Sequence, residues 1–81
     1  MPAPNTIALR REVPALTLDP LTHAVIHEAL LPAGTEIEDP EAALVDAEAH
    51  HRDWVVVRTV DRDGWLGLER VRTASLRRAV G

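Results

Sequence analysis

Two apolar stretches dominate the pattern of the chain. WVVVRTV (residues 54–60) is β-branched and aromatic, and WLGLERV (65–71) answers it, so both are expected as strands. Asp63-Gly64 between them suits the tight hairpin turn whose central residues need positive φ. A two-residue turn there sets Arg58 opposite Glu69, Val60 opposite Gly67 and Val56 opposite Val71. One face then carries Trp54, Val56, Val60 and Val71, joined by Trp65; the other carries Val55, Val57, Leu66 and Leu68. Residues 54–60 are apolar on both faces, which places that strand in the middle of a sheet or in a barrel.

Upstream, the pattern is broken by proline. Residues 1–6 carry two prolines and read as a loose arm. Ile7 to Val13 is a short strand or an arm that docks on a neighbour. Ala15 to Leu18 is a short strand ended by the turn signal Asp19-Pro20. His23 to Leu31 fits a strand or a short helix, before Pro32-Ala33-Gly34 forces a turn. Thr35 and Ile37 mark a brief strand. Asp39-Pro40-Glu41 is the strongest helix start: a side chain to cap free amides, a proline at the first helical position and an acid at the positive end of the dipole. A short surface helix over about 40–51 follows, with Ala42, Val45 and Ala49 on one face and Leu44 beside them. Thr73 to Val80 is a helical turn or a last strand. The sum is mainly β: five strands, closed into a small barrel that hides its edges, with the helix inserted between strands. Residues 1–14 form a flexible or partner-docking arm and 15–81 the barrel.

LLPAGTEIE (30–38) and RDWVVVRTVDRDGWLGLERV (52–71) resemble the Src-homology-3-like barrels, including bacterial ones, over about residues 15–76. The turn Leu31-Pro32-Ala33-Gly34-Thr35-Glu36-Ile37 is similar to the one before the family's second strand. Trp54 stands where a Trp opens the third strand, and Gly64-Trp65 where a Gly and an aromatic open the fourth. The resemblance implies a long first loop at 16–29, a helical insertion at 39–52 and a last crossover at 69–73. Binding of proline-rich peptides is not implied: the chain has no Tyr or Phe to line such a groove, and the Pro and Tyr of the last crossover are missing. The cell-wall binding of bacterial members is not carried over either, since nothing in the sequence directs export.

With 81 residues the chain is one domain, and 46% hydrophobic with 27% charged residues is globular composition. It has no cysteine, which excludes disulfides, thiolate zinc sites and a cysteine nucleophile. No apolar run approaches the ~18 residues of a membrane span, and the first residues lack a signal-peptide core. The expected setting is cytoplasmic, or a virion or compartment assembled there. The net charge of −4 argues against general nucleic-acid binding. Charge is bipolar along the chain. Residues 36–53 hold seven acids against Arg52, whereas residues 70–81 hold Arg70, Arg72, Arg77 and Arg78 without an acidic side chain. Such a distribution is either an ordinary mixed surface or a basis for self-association and docking on a charged partner.

His23 and His27 lie four apart with Glu28 adjacent, and His50 and His51 are neighbours. Zinc proteases place Glu beside the first His of a helical pair, and a zinc site needs three or four converging ligands, so these read as surface or packing histidines and no metal or cofactor is expected. No nucleophile elbow, phosphate loop or dinucleotide fingerprint is present, Ser75 is the one serine, and a barrel this small has little room for a small-molecule substrate, so no enzyme is expected. Trp54 and Trp65 are core candidates in a chain without Phe or Tyr; alternatively one is an interface anchor, and the resemblance favours Trp54. The leading expectation is a protein–protein interaction module with Trp54, Trp65, His27, Glu41, Glu48 and Asp53 at its contact surface. The alternatives are a structural subunit of a homo-oligomer or larger assembly, touching neighbours through Ile7, Leu9, Arg10, Arg11, Arg77 and Arg78, and a nucleic-acid-associated barrel.

Overall fold

The computed structural model describes residues 5–61 and 63–81. Among these residues eight elements follow one another: β1 (Thr6–Ala8), β2 (Val13–Leu18), β3 (Val25–Leu31), β4 (Glu36–Glu38), α1 (Pro40–Ala49), β5 (Trp54–Val60), β6 (Leu66–Arg72) and α2 (Thr73–Val80). The fold is mainly β, with the short helix between strands that the sequence predicts. All strand pairs are antiparallel, in the order β1-β4-β5-β6-β2-β3. The described residues form six strands rather than five. The sheet is not closed: β1 and β3 stand at its two edges. The physical alternative to closure is a helical cover. α2 packs on β2 and β6, and α1 packs on β5 and α2. Among the described residues no helix is long and apolar enough to cross a membrane.

Direct partners across an antiparallel ladder share a face. The covered face therefore presents Val55 and Val71, Val57 and Glu69, Ala15, Val13 and Ile37. The core cluster joins most of these to Leu31, to Leu9, to Ala47 of α1 and to Leu76 and Ala79 of α2. Ile37, Val71 and Leu76 are fully buried.

Several expectations are corrected. The β5–β6 register is one residue from the predicted one: Val57 faces Glu69, Arg58 faces Leu68 and Thr59 faces Gly67, so the Arg58–Glu69 pair does not form. The cause is Asp61. Its carboxylate accepts the amides of Asp63 and Trp65, both at 2.9 Å, and its own amide donates to the Trp65 carbonyl, which makes a longer loop than the two-residue turn. Gly64 still takes the positive φ, at 83°. A one-residue slip regroups the faces, so Val71 joins Val55 and Val57 while Leu66 and Leu68 join Trp54, Val56 and Val60. The long first loop is instead the hairpin β2–β3, and β6 runs through to Arg72 where a crossover was expected. Residues 73–80 are helical.

Residues 6–13 are not a free arm. β1 pairs with β4, the Leu9 amide donates to the Thr35 carbonyl at 2.8 Å, the Gly34 amide donates to the Leu9 carbonyl at 2.8 Å, and the Arg10 amide donates to the Ala79 carbonyl. Leu9 and Val13 are 3% and 1% exposed, so apolar burial holds this segment down. The expectation of a loose start at 1–4 lies outside the described residues.

In α1, Pro40 takes the first turn as predicted, but Asp39 makes no side-chain cap. Its backbone is left-handed (φ 44°), whereas a capping side chain reaches the free amides from an extended backbone. The inward stripe is Pro40, Ala43, Leu44 and Ala47; Val45, grouped from the sequence with Ala42 and Ala49 on one face, is 67% exposed. At the other end His51 adopts φ 52°, with the Arg52 amide donating to the Ala47 carbonyl and the His51 amide to the Glu48 carbonyl. This is the crossed pair of bonds that commonly ends a helix on glycine.

Candidate functional site

Among the described residues, the second face of the sheet leaves large apolar side chains exposed, with α1 and α2 flanking only its Trp54 end. It carries Trp54, Val56, Arg58 and Val60 from β5, paired with Arg72, Arg70, Leu68 and Leu66 from β6. Next come Leu16, which faces Arg70, and then Glu28 and Leu30 of β3, which face Leu16 and Pro14. Val56, Leu66 and Leu30 are 45%, 74% and 60% exposed. An open antiparallel sheet face is ordinarily polar, so this apolar content marks the surface out.

Trp54 lies at the end of that face where β5 begins and β6 ends. It is partly buried, and the guanidinium carbons of Arg72 and Arg70 lie 4.6 and 5.1 Å from its ring centroid. Register explains the arrangement: Arg72 sits directly across the ladder from Trp54, and Arg70 two residues on along the same face. Among the described residues the single ion pair is His50 with Asp46, at 3.2 Å, so neither arginine has a carboxylate within reach. A groove of about 560 Å³ opens beside the ring, floored by Pro14, Leu16 and Leu30 and walled by Trp54, Arg72 and Ser75, with Glu28 on the β3 side.

The predicted contact residues do not form one surface. Trp54 lies on the uncovered face, but Trp65 is 73% exposed in the loop at the far end of β5, ~20 Å along the strand. His27 is exposed on β3 and shares the covered-face side with Thr17. Glu41 and Glu48 are exposed on α1, and Asp53 is exposed before β5, its carbonyl accepting the Thr73 amide. Of the predicted assembly contacts, Leu9 is withdrawn into the core, which corrects its assignment, and Ile7 is half-buried opposite Ile37. Arg10, Arg11, Arg77 and Arg78 are exposed. Sequence reasoning missed Arg70 and Arg72 as partners of Trp54. Their spacing of two on a strand puts them on one face, but only the true register puts that face with Trp54.

On the covered face, Glu69 is 6% exposed and both its oxygens lie within 3.0 Å of the Thr17 hydroxyl. Burial pushes the Glu69 carboxyl up from its ordinary range, against the lowering effect of the Thr17 hydrogen bond and of His27. Asp19 is the opposite case: the amides of Thr22 and Leu21 at the β2–β3 turn donate to it and hold its carboxyl down. Among the described residues no group of three or more His, Asp or Glu side chains converges as a metal site would. Compared with family models, with curated proteins and with solved structures, the chain matches none.

Proposed function

We propose that this protein is a non-enzymatic interaction module that holds a protein partner on the uncovered face of its sheet. The observation that carries the reading is Trp54, partly buried between an aliphatic groove and two arginines that have no carboxylate partner. Trp and Arg are the residues most enriched where binding energy concentrates. We also read the fold as a relative of the Src-homology-3-like barrels. Support comes from the consecutive strands β4, β5 and β6 after the Gly34 turn, with Trp54 opening β5 and Gly64-Trp65 preceding β6. The added strands β1 and β3 and the helix α2 are departures from that pattern.

The test is affinity capture from the native host with the wild type, Trp54→Ala and Trp65→Ala. The partner is expected with the wild type and Trp65→Ala, and lost with a Trp54→Ala protein that keeps its far-ultraviolet circular dichroism. A partner retained by Trp54→Ala overturns the reading.

A structural subunit is the second reading, favoured by β3. This seven-residue edge strand exposes Val25, Ile26 and Leu30 to 52%, 57% and 60%. Long apolar edges invite pairing with another chain. Concentration-dependent sedimentation abolished by Ile26→Lys would support it; a monomer at all concentrations would remove it.

A further inference from the structure

We infer that the partner of the uncovered face is an acidic, aliphatic-bearing segment of another protein. The inference rests on the interaction reading above and adds the chemistry of the occupant. The groove has two parts. Its floor of Pro14, Leu16 and Leu30 offers only aliphatic contact, which suits a Leu, Ile or Val side chain. Its wall carries Arg72 beside Trp54, with Arg70 next along the face. A carboxylate brought there meets planar guanidinium groups that are already oriented by the ring and are not occupied by an acid of this chain. Glu28 stands on the opposite side of the groove. The charge of the site is therefore directional: acids of the partner lie toward β6, and an acid placed over β3 is repelled.

Other occupants fit less well. A second copy laid face to face brings Arg58, Arg70 and Arg72 of its own along with the acids of that face, Glu28, Glu36 and Glu38, so it matches the free guanidinium groups less well than an acidic segment does. A second copy docked by its acidic helix makes a heterologous contact, which runs on into a filament unless the rotation closes. Single-stranded nucleic acid needs free aromatic platforms for its bases. Trp54 is the one aromatic of the groove, its ring already has two guanidinium groups over it, and the aliphatic floor offers a phosphate backbone nothing.

The experiment selects a phage-displayed random dodecapeptide library on the intact protein, then titrates the winning peptide into a Trp65→Phe variant while following Trp54 fluorescence. The expected pool is enriched in Asp and Glu together with Leu, Ile or Val, shifts Trp54 emission, and loses affinity at least tenfold with Arg70→Gln/Arg72→Gln. Enrichment of aliphatic peptides without acids, still displaced by Leu16→Asp, overturns this inference while the interaction reading stands. No selection above background, or winners that bind Trp54→Ala unchanged, overturns both. Tighter binding of a ten-nucleotide oligothymidylate than of the winning peptide, or self-association abolished by the arginine substitutions, overturns it in favour of nucleic acid or of a second copy.

Discussion

Trp54 and Arg72 face each other across the β5–β6 ladder, with the guanidinium carbon 4.6 Å from the ring centroid. Arg70 approaches the same ring at 5.1 Å, and both arginines are exposed. Exposed cation–π contacts contribute about 0.5–1 kcal/mol each. The ring is thus held by two exposed guanidinium groups in addition to its own partial burial. Trp54→Ala is expected to lower the unfolding free energy by about 1–2 kcal/mol in urea titrations. A loss above about 4 kcal/mol, the range of a buried aromatic, would make Trp54 a core residue and deprive the proposed surface of its anchor.

Leu9 belongs to the core although the sequence around it reads as an arm. It is 3% exposed, and its amide and carbonyl clamp the turn at Gly34 and Thr35. Leu9→Ala is expected to cost about 2–4 kcal/mol, while Arg11→Ala, at an exposed neighbour, changes stability by less than about 0.5 kcal/mol. Chemical denaturation of the two variants decides it. A Leu9→Ala protein as stable as the wild type would return residues 6–13 to the status of a detachable arm.

His51 ends α1 with φ 52°, a conformation that glycine adopts without strain. Its two neighbouring hydrogen bonds, Arg52 to Ala47 and His51 to Glu48, are made by backbone alone. His51→Gly is therefore expected to raise stability by about 0.5–1 kcal/mol, read as an increase in the thermal midpoint. A fall in the midpoint would mean that the imidazole makes a contribution of its own.

What was legible in the sequence follows from which residues carry strong local preferences. β5 is plain because residues 55–57 are three consecutive valines behind a tryptophan, a β-branched run matched nowhere else in the chain. In mid-sheet such a run sends Val55 and Val57 into the core and leaves Val56 on the other face. The register of β5 on β6 was not legible, because Asp63-Gly64 advertises a tight turn and nothing in the pattern tells that the Asp61 carboxylate will gather two amides and lengthen the loop. The face of α1 was obscured by its alanines, which give almost no amphipathic signal; the docking of Pro40 turns Ala43 and Ala47 inward and Val45 outward. Residues 25–31 satisfied both periods because the strand they form lies at an edge, where apolar side chains remain exposed on either face. For the candidate site, Trp54 was singled out from its place in the chain, but its arginines depended on a register that local sequence does not encode.

Glu69 should give the protein a characteristic pH response. Burial raises its carboxyl pKa in the folded state, so the native chain holds this proton above the pH at which the unfolded chain releases it. The contribution of this group to stability is complete below the unfolded-state value and is lost as pH rises through the folded-state value. Glu69→Gln keeps an acceptor for the Thr17 hydroxyl and has no proton to release. Urea midpoints measured at pH 4 and pH 8 should show the variant gaining on the wild type at the higher pH. Parallel behaviour of the two proteins across that interval would mean that Glu69 ionises as freely in the fold as outside it.

Gly67 and Thr59 test the register itself. They are direct partners in the β5–β6 ladder, and a Cβ at position 67 would meet the Thr59 Oγ1 at 2.8 Å. Thr59 is 6% exposed and β-branched, so its side chain has little freedom to withdraw. Gly67→Ala is expected to cost about 1–3 kcal/mol through overpacking. The predicted pairing of Val60 with Gly67 would place Thr59 on the other face and leave no such clash. A double-mutant cycle separates the two registers: with Thr59→Ala in place, Gly67→Ala should recover most of its loss, a coupling of about 1 kcal/mol or more. Additive effects of the two substitutions would show that these side chains do not meet, and with them would go the alignment that sets Arg72 opposite Trp54.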